Sequence, residues 1–451
     1  MVGIKKDPVD KWIVDPIKTL LSKSTTSGIV LFSSATLALI LSNSPWKEEF
    51  HHLWEVNFSI GFAGKYIDKS LHHWINDGLM AVFFFMVGLE LKREIIAGEL
   101  SNPRRAMLPI LAALGGMIFP ASIYLLFNPT GESQAGWGVP MATDIAFALG
   151  VLYMLGNRVP LALKVFLTAL AIADDIGAVL VIAFFYTSDI QMMNLLFGAV
   201  FLGILIFGNI IGVRSTFFYI SIGIGGVWLA FLLSGVHATI AAVLAAFTIP
   251  ANVKVSEIMY TQKLSKLLDK FREAKPNQLP TVTSEQLHIL EDVRKISKLA
   301  LTPLQRMEHA LHPFVTYLIM PIFALSNAGI TFSGDIASQA LSPVAVGVFL
   351  GLLLGKVIGV LGVVIVAVKL KIAPMPTGVN YMQMLGVSFL AAIGFTMSLF
   401  ISNLAFGTSV HVVEAKMGIF AASVIASLIG YNILNKSLDK APEDVASTDH
   451  H

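Results

Sequence analysis

The sequence contains no cysteine and few charged residues. Of its 451 residues only 13% are charged, whereas 55% are hydrophobic. Without thiols, disulfides and zinc sites of the cysteine type are excluded. Soluble domains carry about 25% charged residues, so the deficit indicates a polytopic membrane protein. The formal net charge of +2 provides no signal for nucleic acid, and no nucleic-acid partner is expected.

An ATP-binding loop of the form GxxxxGK[ST] is also missing from the sequence. That loop cradles the phosphates of ATP, and its absence argues against an ATP-driven motor on this chain. Any energy the protein uses should therefore come from an ion gradient. We expect a transporter rather than an enzyme, with no bound cofactor.

Long apolar runs dominate the sequence. A run of about 20 apolar residues spans the hydrocarbon core of a membrane. Twelve candidate spans are predicted at 28–41, 74–91, 107–127, 137–153, 161–186, 193–212, 217–234, 237–249, 313–325, 344–368, 381–406 and 418–434. The prediction is an all-α membrane protein, with one loosely alternating stretch at 55–61 that suits a short hairpin strand.

The loops between these spans differ in their content of lysine and arginine. Loops with basic residues alternate with loops that lack them, and the positive-inside rule then places both termini in the cytoplasm. An apolar pattern within the long loop predicts an amphipathic helix from about 284 to 311. The predicted order is a cytoplasmic arm (1–27), spans one to eight (28–250), the cytoplasmic loop (251–312), spans nine to twelve (313–434) and a cytoplasmic tail (435–451).

Two adjacent carboxylates, Asp174 and Asp175, lie in the middle of the fifth predicted span. The run around them is otherwise apolar from Val165 to Phe185. A charged side chain at the bilayer centre costs at least about 2.5–3.5 kcal/mol on insertion scales. A cation, a proton or a buried basic partner must offset that cost. An ion pathway is the hypothesis that these residues favour.

Spans four and eleven both contain polar and flexible residues. Span four has Pro140, Thr143 and Asp144, and span eleven has a Gly-Phe-Thr-Met-Ser run at 394–398. Paired interruptions in two halves of a chain are typical of inverted repeats with an ion site at the midplane, here spans three to five and ten to twelve. Thr143 could instead bond to a carbonyl of its own helix.

Lys356 lies far from either end of span ten, where it cannot readily reach the membrane surface. Its best partner is one of the aspartates of span five. Two roles remain open from the sequence: a counter-charge that fixes packing, or a participant in proton exchange.

Charged residues also cluster near the predicted cytoplasmic ends of the spans. Glu90 and Glu94 lie one helical turn apart with Arg93 between them, which suits either an ordinary helix-end cluster or a funnel for cations and protons. Histidine titrates near neutral pH, although lone histidines at membrane interfaces are commonly plain interfacial residues. The candidates near span ends are His237, Glu308, His309 and His312.

Several of these stretches closely resemble the NhaA family of sodium–proton antiporters. They occur in the expected order and touch nearly every span. The matching stretches are WINDGLMAVFFFMVGLELKRE, ATDIAFALG, NRVPLALKVFLTALAIADDIGA, SGVHATIA, MEHALHP, FALSNAG, GLLLGKVIG and AIGFTMSLFI. The resemblance implies twelve helices, with unwound helices four and eleven crossing at the midplane. It also implies a homodimer that forms partly through a hairpin near 55–65.

The resemblance further implies roles for individual residues. Asp175 is then the main carrier of cation and proton, Asp174 pairs with Lys356, and Thr143 with Asp144 lies at the helix crossing. The implied cytoplasmic pH-response cluster is Glu90, Arg93, Glu94, Glu308, His309 and His312, and His237 is implied to be a further pH-influencing position. This chain departs from the family's better-known member by an insertion over much of 251–301.

The expected mechanism is competition between cation and proton at one site. Sodium or lithium prefers hard oxygen ligands such as the carboxylates of Asp174 and Asp175, a threonine hydroxyl and unwound carbonyls. The resemblance implies electrogenic exchange in a bacterial inner membrane, with lipid as the surroundings. Two alternatives are a sodium-coupled symporter of an organic anion and an intramembrane aspartyl protease. The protease is disfavoured because its Gly-x-Gly-Asp element is absent and adjacent aspartates project about 100° apart.

Overall fold

A computed structural model provides the structure of the protein and describes residues 24–62, 65–187, 190–274, 281–331 and 336–438. Within these ranges the fold is almost entirely helical. One antiparallel hairpin pairs strand β1, Asn57–Phe62, with strand β2, Lys65–Ser70. The strand expected over 55–61 is therefore present. The predicted cytoplasmic arm up to residue 23 and the tail from residue 439 lie outside the described residues.

Helices follow one another along the chain with short connections. They are α1 Ser24–Ser42, α2 Lys47–Glu55, α3 Met80–Ala97, α4 Pro103–Phe127, α5 Ile145–Met154, α6 Leu161–Phe185, α7 Met192–Ile210, α8 Thr216–Leu232, α9 Ala238–Thr248, α10 Glu257–Glu273, α11 Ser284–Ala300, α12 Pro303–Asn327, α13 Pro343–Lys369, α14 Tyr381–Ala391, α15 Phe395–Phe406 and α16 His411–Ser437. Shorter helical pieces are Leu71–His73, Trp74–Leu79, Glu99–Ser101, Glu132–Met141, Gly156–Arg158 and Ile336–Ala340.

The apolar helices confirm an all-α polytopic membrane protein. In the described part of the chain, seven helices are long and apolar enough to cross a membrane, or up to nine when each of two bent pairs counts as one span. Two shorter apolar helices, α8 and α9, add to these. Every predicted span falls on one of these helices or, at 74–91, 137–153 and 381–406, on two consecutive helical elements, but the number of crossings remains a prediction.

The segment after residue 250 differs from the single helix expected over 284–311. The structure has a break after α11, where the side chain of Thr302 accepts a hydrogen bond from the backbone N–H of Gln305 at 3.0 Å and Pro303 starts α12. Hydroxyl caps and a first-turn proline begin a new helix because they satisfy or remove free N–H groups. Helix α10 was not predicted, because it is rich in charged residues. The hydroxyl group of Tyr260 in α10 is hydrogen-bonded to the hydroxyl group of Ser297 in α11 at 3.1 Å.

Close packing of α4 against α13 holds the centre of the molecule together. Gly115 and Gly359 face each other, and a Cβ on either would collide with the backbone of the other. Small residues allow helices in a membrane to approach closely, because packing rather than the hydrophobic effect drives their association. The contact places Lys356, one turn before Gly359, in the interior next to Gly116.

Candidate functional site

Two helical spans are interrupted and meet at their breaks. The first consists of the 3-10 helix Glu132–Met141 and α5, joined by residues 142–144 in extended conformation. The second consists of α14 and α15, which bend by 43° at residues 392–394. The interruptions predicted for spans four and eleven are both present at the expected residues.

Hydrogen bonds between the two breaks satisfy backbone groups that interrupted helices leave free. The Thr143 hydroxyl donates to the carbonyl oxygen of Ala391 at 2.7 Å. The backbone N–H of Asp144 donates to the carbonyl oxygen of Ile393, also at 2.7 Å. The Ser398 hydroxyl donates to the carbonyl oxygen of Val139 at 2.8 Å. Thr143 therefore bonds across to the other broken helix and not back within its own.

Asp144 uses both carboxylate oxygens at this crossing. Oδ1 accepts from the backbone N–H of Phe147 at 3.0 Å and so caps the start of α5. Oδ2 accepts from the backbone N–H of Thr396 at 3.1 Å and also from its hydroxyl, at the start of α15. Helix N-termini carry a partial positive charge, so one buried carboxylate is stabilised by two helix ends.

Asp174 forms a buried ion pair with Lys356. The Lys356 Nζ lies 2.7 Å from Asp174 Oδ2 and also donates to the carbonyl oxygen of Met141, the last residue of the 3-10 helix. Lys356 and Asp174 are 0% and 1% exposed. The pairing that the sequence left between two aspartates is thus made with Asp174, and the same ammonium group holds the end of a broken helix.

Asp175 is buried, and none of the ion pairs among the described residues includes it. Its Oδ1, like Asp174 Oδ1, accepts no hydrogen bond among the described residues. The charged groups that influence it are Asp174, Glu90, Asp144 and, with opposite sign, Lys356. Buried carboxylate oxygens without donors are costly unless a proton or cation reaches them. The arrangement offers two such oxygens on neighbouring residues.

No group of three or more histidine, cysteine, aspartate or glutamate side chains suited to holding a metal is present in the described residues. Two carboxylates alone fill only part of the coordination shell of a small hard cation. Further oxygen ligands would have to come from hydroxyl groups, carbonyls or water. Thr143, which lies next to Asp174, is one source of such an oxygen.

A second charged group forms around Arg93 at the end of α3. Arg93 lies 3.0 Å from both Glu94 and Glu308 and 3.9 Å from Glu90. These four predicted residues are therefore brought together, from α3 and α12. Nearby, Lys92 donates to the carbonyl oxygens at the end of α9, and burial lowers the pKa of its ammonium group.

The predicted histidines are distributed differently. His309 and His312 lie on exposed positions of α12, one of them directly after Glu308. His237 precedes α9 and bonds to the carbonyl oxygen of Tyr186 at 2.7 Å. Since Lys92 binds the opposite end of this 11-residue helix, His237 is about 17 Å from the Arg93 group along the helix axis. The structure thus does not place His237 in that group.

A polar network centred on the buried Asn327 was not predicted from the sequence. Its Oδ1 accepts from Asn403 at 2.5 Å and lies 3.0 Å from His72 Nε2, and its Nδ2 donates to Asn76 Oδ1 at 3.1 Å. The network joins the helical piece Trp74–Leu79, which directly precedes α3, to α12 and α15. The available signal was the occurrence of asparagine within apolar spans, where an amide needs partners.

Crossed, interrupted helices beside buried carboxylates define a class of protein, the ion-coupled secondary transporters. A profile of the family described as Na+/H+ antiporter 1 matches residues 18–434. The chain belongs to this family, that of the NhaA sodium–proton antiporters.

Proteins named Na(+)/H(+) antiporter NhaA are similar to it over nearly their whole length. The one from Oleidesulfovibrio alaskensis is 47% identical over 96% of each chain. That from Acidithiobacillus ferrooxidans is 49% identical over 93% of this chain and 96% of its own. That from Wolinella succinogenes is 49% identical over 90% and 89%. The resemblance stated from the motifs is confirmed.

Proposed function

We propose that the protein exchanges cytoplasmic Na+, or Li+, for external protons, without a bound cofactor and without catalysing a chemical reaction. One observation carries the proposal: neighbouring buried carboxylates, Asp174 and Asp175, present two oxygens that have no donor among the described residues, and only Asp174 has a cationic partner there. Membership in the antiporter family supports the same activity.

In the proposed cycle, Asp175 binds either a proton or a cation. Desolvation penalises its bare charged form, so a loaded site is favoured over an empty one. Asp174, held by Lys356, supplies a second oxygen, and Thr143 and backbone oxygens of the break at 142–144 are candidate further ligands. Asp144 accepts hydrogen bonds from the first turns of α5 and α15 and so stabilises the helix crossing. Its charge also contributes to the electrostatic field at the ion site.

We further propose that the Arg93 group regulates exchange by pH. Glu90 links the group to the site, because its charge acts on Asp175. Protonation of Glu308 would weaken its pairing with Arg93, which joins α12 to α3. His309, His312 and His237 are proposed as secondary influences, the first two from the exposed face of α12 and the third from the far end of α9.

The wider organisation is part of the proposal. The protein is placed in a bacterial inner membrane as a homodimer that contacts its second copy through the hairpin region 55–65. The predicted arm (1–27), loop (251–312) and tail (435–451) are assigned to the cytoplasm, with spans at 28–250 and 313–434. The basic residues of the loops support this orientation.

The variant Asp175→Asn, reconstituted in proteoliposomes, tests the proposal. The amide can neither release a proton nor neutralise a cation, so added Na+ should no longer dissipate a preset pH gradient. Asp292→Asn is the matched control, because it makes the same chemical change at an exposed residue of α11. Retained Na+-dependent dissipation in correctly folded Asp175→Asn would remove Asp175 from the mechanism.

A further inference from the structure

A cavity of about 660 Å³ lies beside the broken first span and has no part in the ion exchange proposed above. One wall is a face of α4 that includes Met117, Ala121 and Leu125. The opposite wall is the 3-10 helix, with Trp137 and Met141. The volume falls within the range of about 300–1,000 Å³ that is typical of small-molecule pockets.

The cavity extends from the end of a membrane-spanning helix towards its middle. Met117 and Leu125 are separated by about 12 Å along α4, at 1.5 Å per residue. Leu125 is close to the end of α4 at Phe127, where the chain leaves the span, and Met117 is in its interior. The long dimension therefore runs along the membrane normal, as a lipid chain does.

Residues around the cavity mouth are those of a surface in contact with lipid. Ile118, on the cavity wall, is 61% exposed, and Phe185, on its rim, is 64% exposed. At this depth the surrounding medium is hydrocarbon, since the helices span the membrane. A largely apolar cavity offers water too few polar partners to be favourably filled.

Charged residues near the end of the cavity determine which lipid headgroup charge is favourable there. The connecting segment 128–136 contains no lysine or arginine and one acidic residue, the exposed Glu132, which directly follows Gly131 of the cavity wall. Gln134, also on the cavity wall, adds an uncharged amide at this level. A phosphate with net negative charge would find no basic partner there, whereas the ammonium group of a zwitterionic headgroup suits Glu132.

From this placement, lining and charge we infer that the cavity is a binding site for one acyl chain of a zwitterionic phospholipid. The chain lies between α4 and the 3-10 helix, with its end near Met141. The Met141 carbonyl oxygen accepts a hydrogen bond from Lys356, so the lipid packs against the segment that the buried lysine holds.

Quenching of Trp137 by phosphatidylcholine with dibrominated acyl chains tests the site. The detergent-solubilised protein is titrated with this lipid, and the same titration of Trp137→Phe identifies the part of the quenching that belongs to Trp137. We expect that part to saturate as a single site. A Trp137 signal that only rises in proportion to the lipid, as for general surface contact, would overturn the inference.

Two matched variants of α4 place the lipid within the cavity. Ala121→Phe fills the space and should abolish the saturable quenching. Leu126→Phe introduces the same aromatic ring at a position that is 79% exposed and outside the cavity, and should retain it. Equal saturable quenching in Ala121→Phe would overturn the assignment. Brominated phosphatidylglycerol should bind more weakly; equal or tighter binding would overturn the zwitterionic specificity.

Discussion

Lys356 joins two features that the sequence presents separately, the aspartate pair of α6 and the broken first span. Its ammonium group is bonded to Asp174 and to the carbonyl oxygen of Met141. Removal of one member of a buried ion pair leaves the other charge uncompensated and commonly costs about 3–5 kcal/mol. A structural role of Lys356 as a counter-charge can therefore be measured as a change in stability, separately from any role in transport.

We expect Lys356→Ala to lower the thermal unfolding temperature strongly, because Asp174 would remain buried and unpaired. The double variant Lys356→Met with Asp174→Asn should recover much of the stability, since no charge is then stranded. Lys371→Ala, at an exposed lysine just after α13, is the control. If Lys356→Ala unfolds at the temperature of the native chain, the buried pair does not contribute to stability.

At the residue scale, the sequence could predict the charged members of the site but not all their partners. Asp174, Asp175 and Lys356 are conspicuous because charge is rare in apolar spans. Residue chemistry alone could not select between the two aspartates, which differ only by about 100° around the helix, and only the family resemblance implied Asp174. The Met141 carbonyl was also invisible, because every residue carries a backbone carbonyl and only the fold shows which one is left free.

The crossing of the broken helices is the feature that depends most on contacts between elements. Thr396 is the second residue of α15 and donates to Asp144 through both its backbone N–H and its hydroxyl. Hydrogen bonds to charged groups contribute about 1.5–3 kcal/mol. The hydroxyl thus contributes measurably to holding the two spans together.

Thr396→Val removes this hydroxyl while keeping the shape of the side chain. We expect a lower unfolding temperature and slower Na+/H+ exchange, since the crossing positions Thr143 next to Asp174. Thr396→Ser keeps the hydroxyl and should stay close to the native protein in both measurements. A native-like Thr396→Val together with a loss in Thr396→Ser would show that the methyl group, and not the hydrogen bond, is what matters.

The Asn327 network predicts a second, pH-dependent link between elements. Asn327 Nδ2 donates to Asn76 Oδ1, so the Asn76 amide group faces His72 as a donor. A neutral His72 satisfies this pattern by accepting at Nδ1 and donating from Nε2 to Asn327 Oδ1. Protonation would place two donors against each other. Burial, with a smaller effect of Lys416, lowers the pKa of His72 below its usual 6.5.

A lowered pKa means that the unfolded chain binds the proton more readily than the folded protein. As the pH decreases from about 6.5 towards the folded-state pKa, stability should therefore fall, by about 1.4 kcal/mol for each pH unit that separates the two pKa values. We expect His72→Gln to reduce this acid dependence of the unfolding temperature. His52→Gln, at an exposed histidine of α2, should leave it unchanged. An identical pH slope in His72→Gln would contradict the assignment.

The positions of the helices were largely predictable. The lengths of the apolar runs, and the proline and glycine residues that interrupt them, determine where helices can form. The breaks at 142–144 and 392–394 were visible from Pro140 and Gly394. Less was visible outside the apolar runs: α10 carries too much charge to stand out, and the start of α12 at Pro303 depends on a local cap. Contacts such as that between Asn327 and Asn403 require the three-dimensional packing.

For the whole molecule, the net charge carried across the membrane in each cycle depends on which ions are bound to the buried aspartates. With Lys356 charged, a site that holds one Na+ between ionised Asp174 and Asp175 has no net charge. A site that holds one proton on Asp175 is also neutral, and exchange of these two forms would move no net charge. If Asp174 is protonated as well, its pair with Lys356 opens and the site carries one positive charge. Exchange is then electrogenic.

We predict that the pair opens in each cycle and that exchange responds to membrane potential. One charge moved across 100 mV is worth about 2.3 kcal/mol. In vesicles loaded with Na+ and placed at lower external pH, an interior-negative potassium diffusion potential should therefore accelerate Na+ efflux, because net positive charge enters with the protons. Asp175→Asn sets the background flux. An efflux rate that is independent of the potential would mean that Asp174 and Lys356 stay paired throughout and that a single proton returns for each Na+.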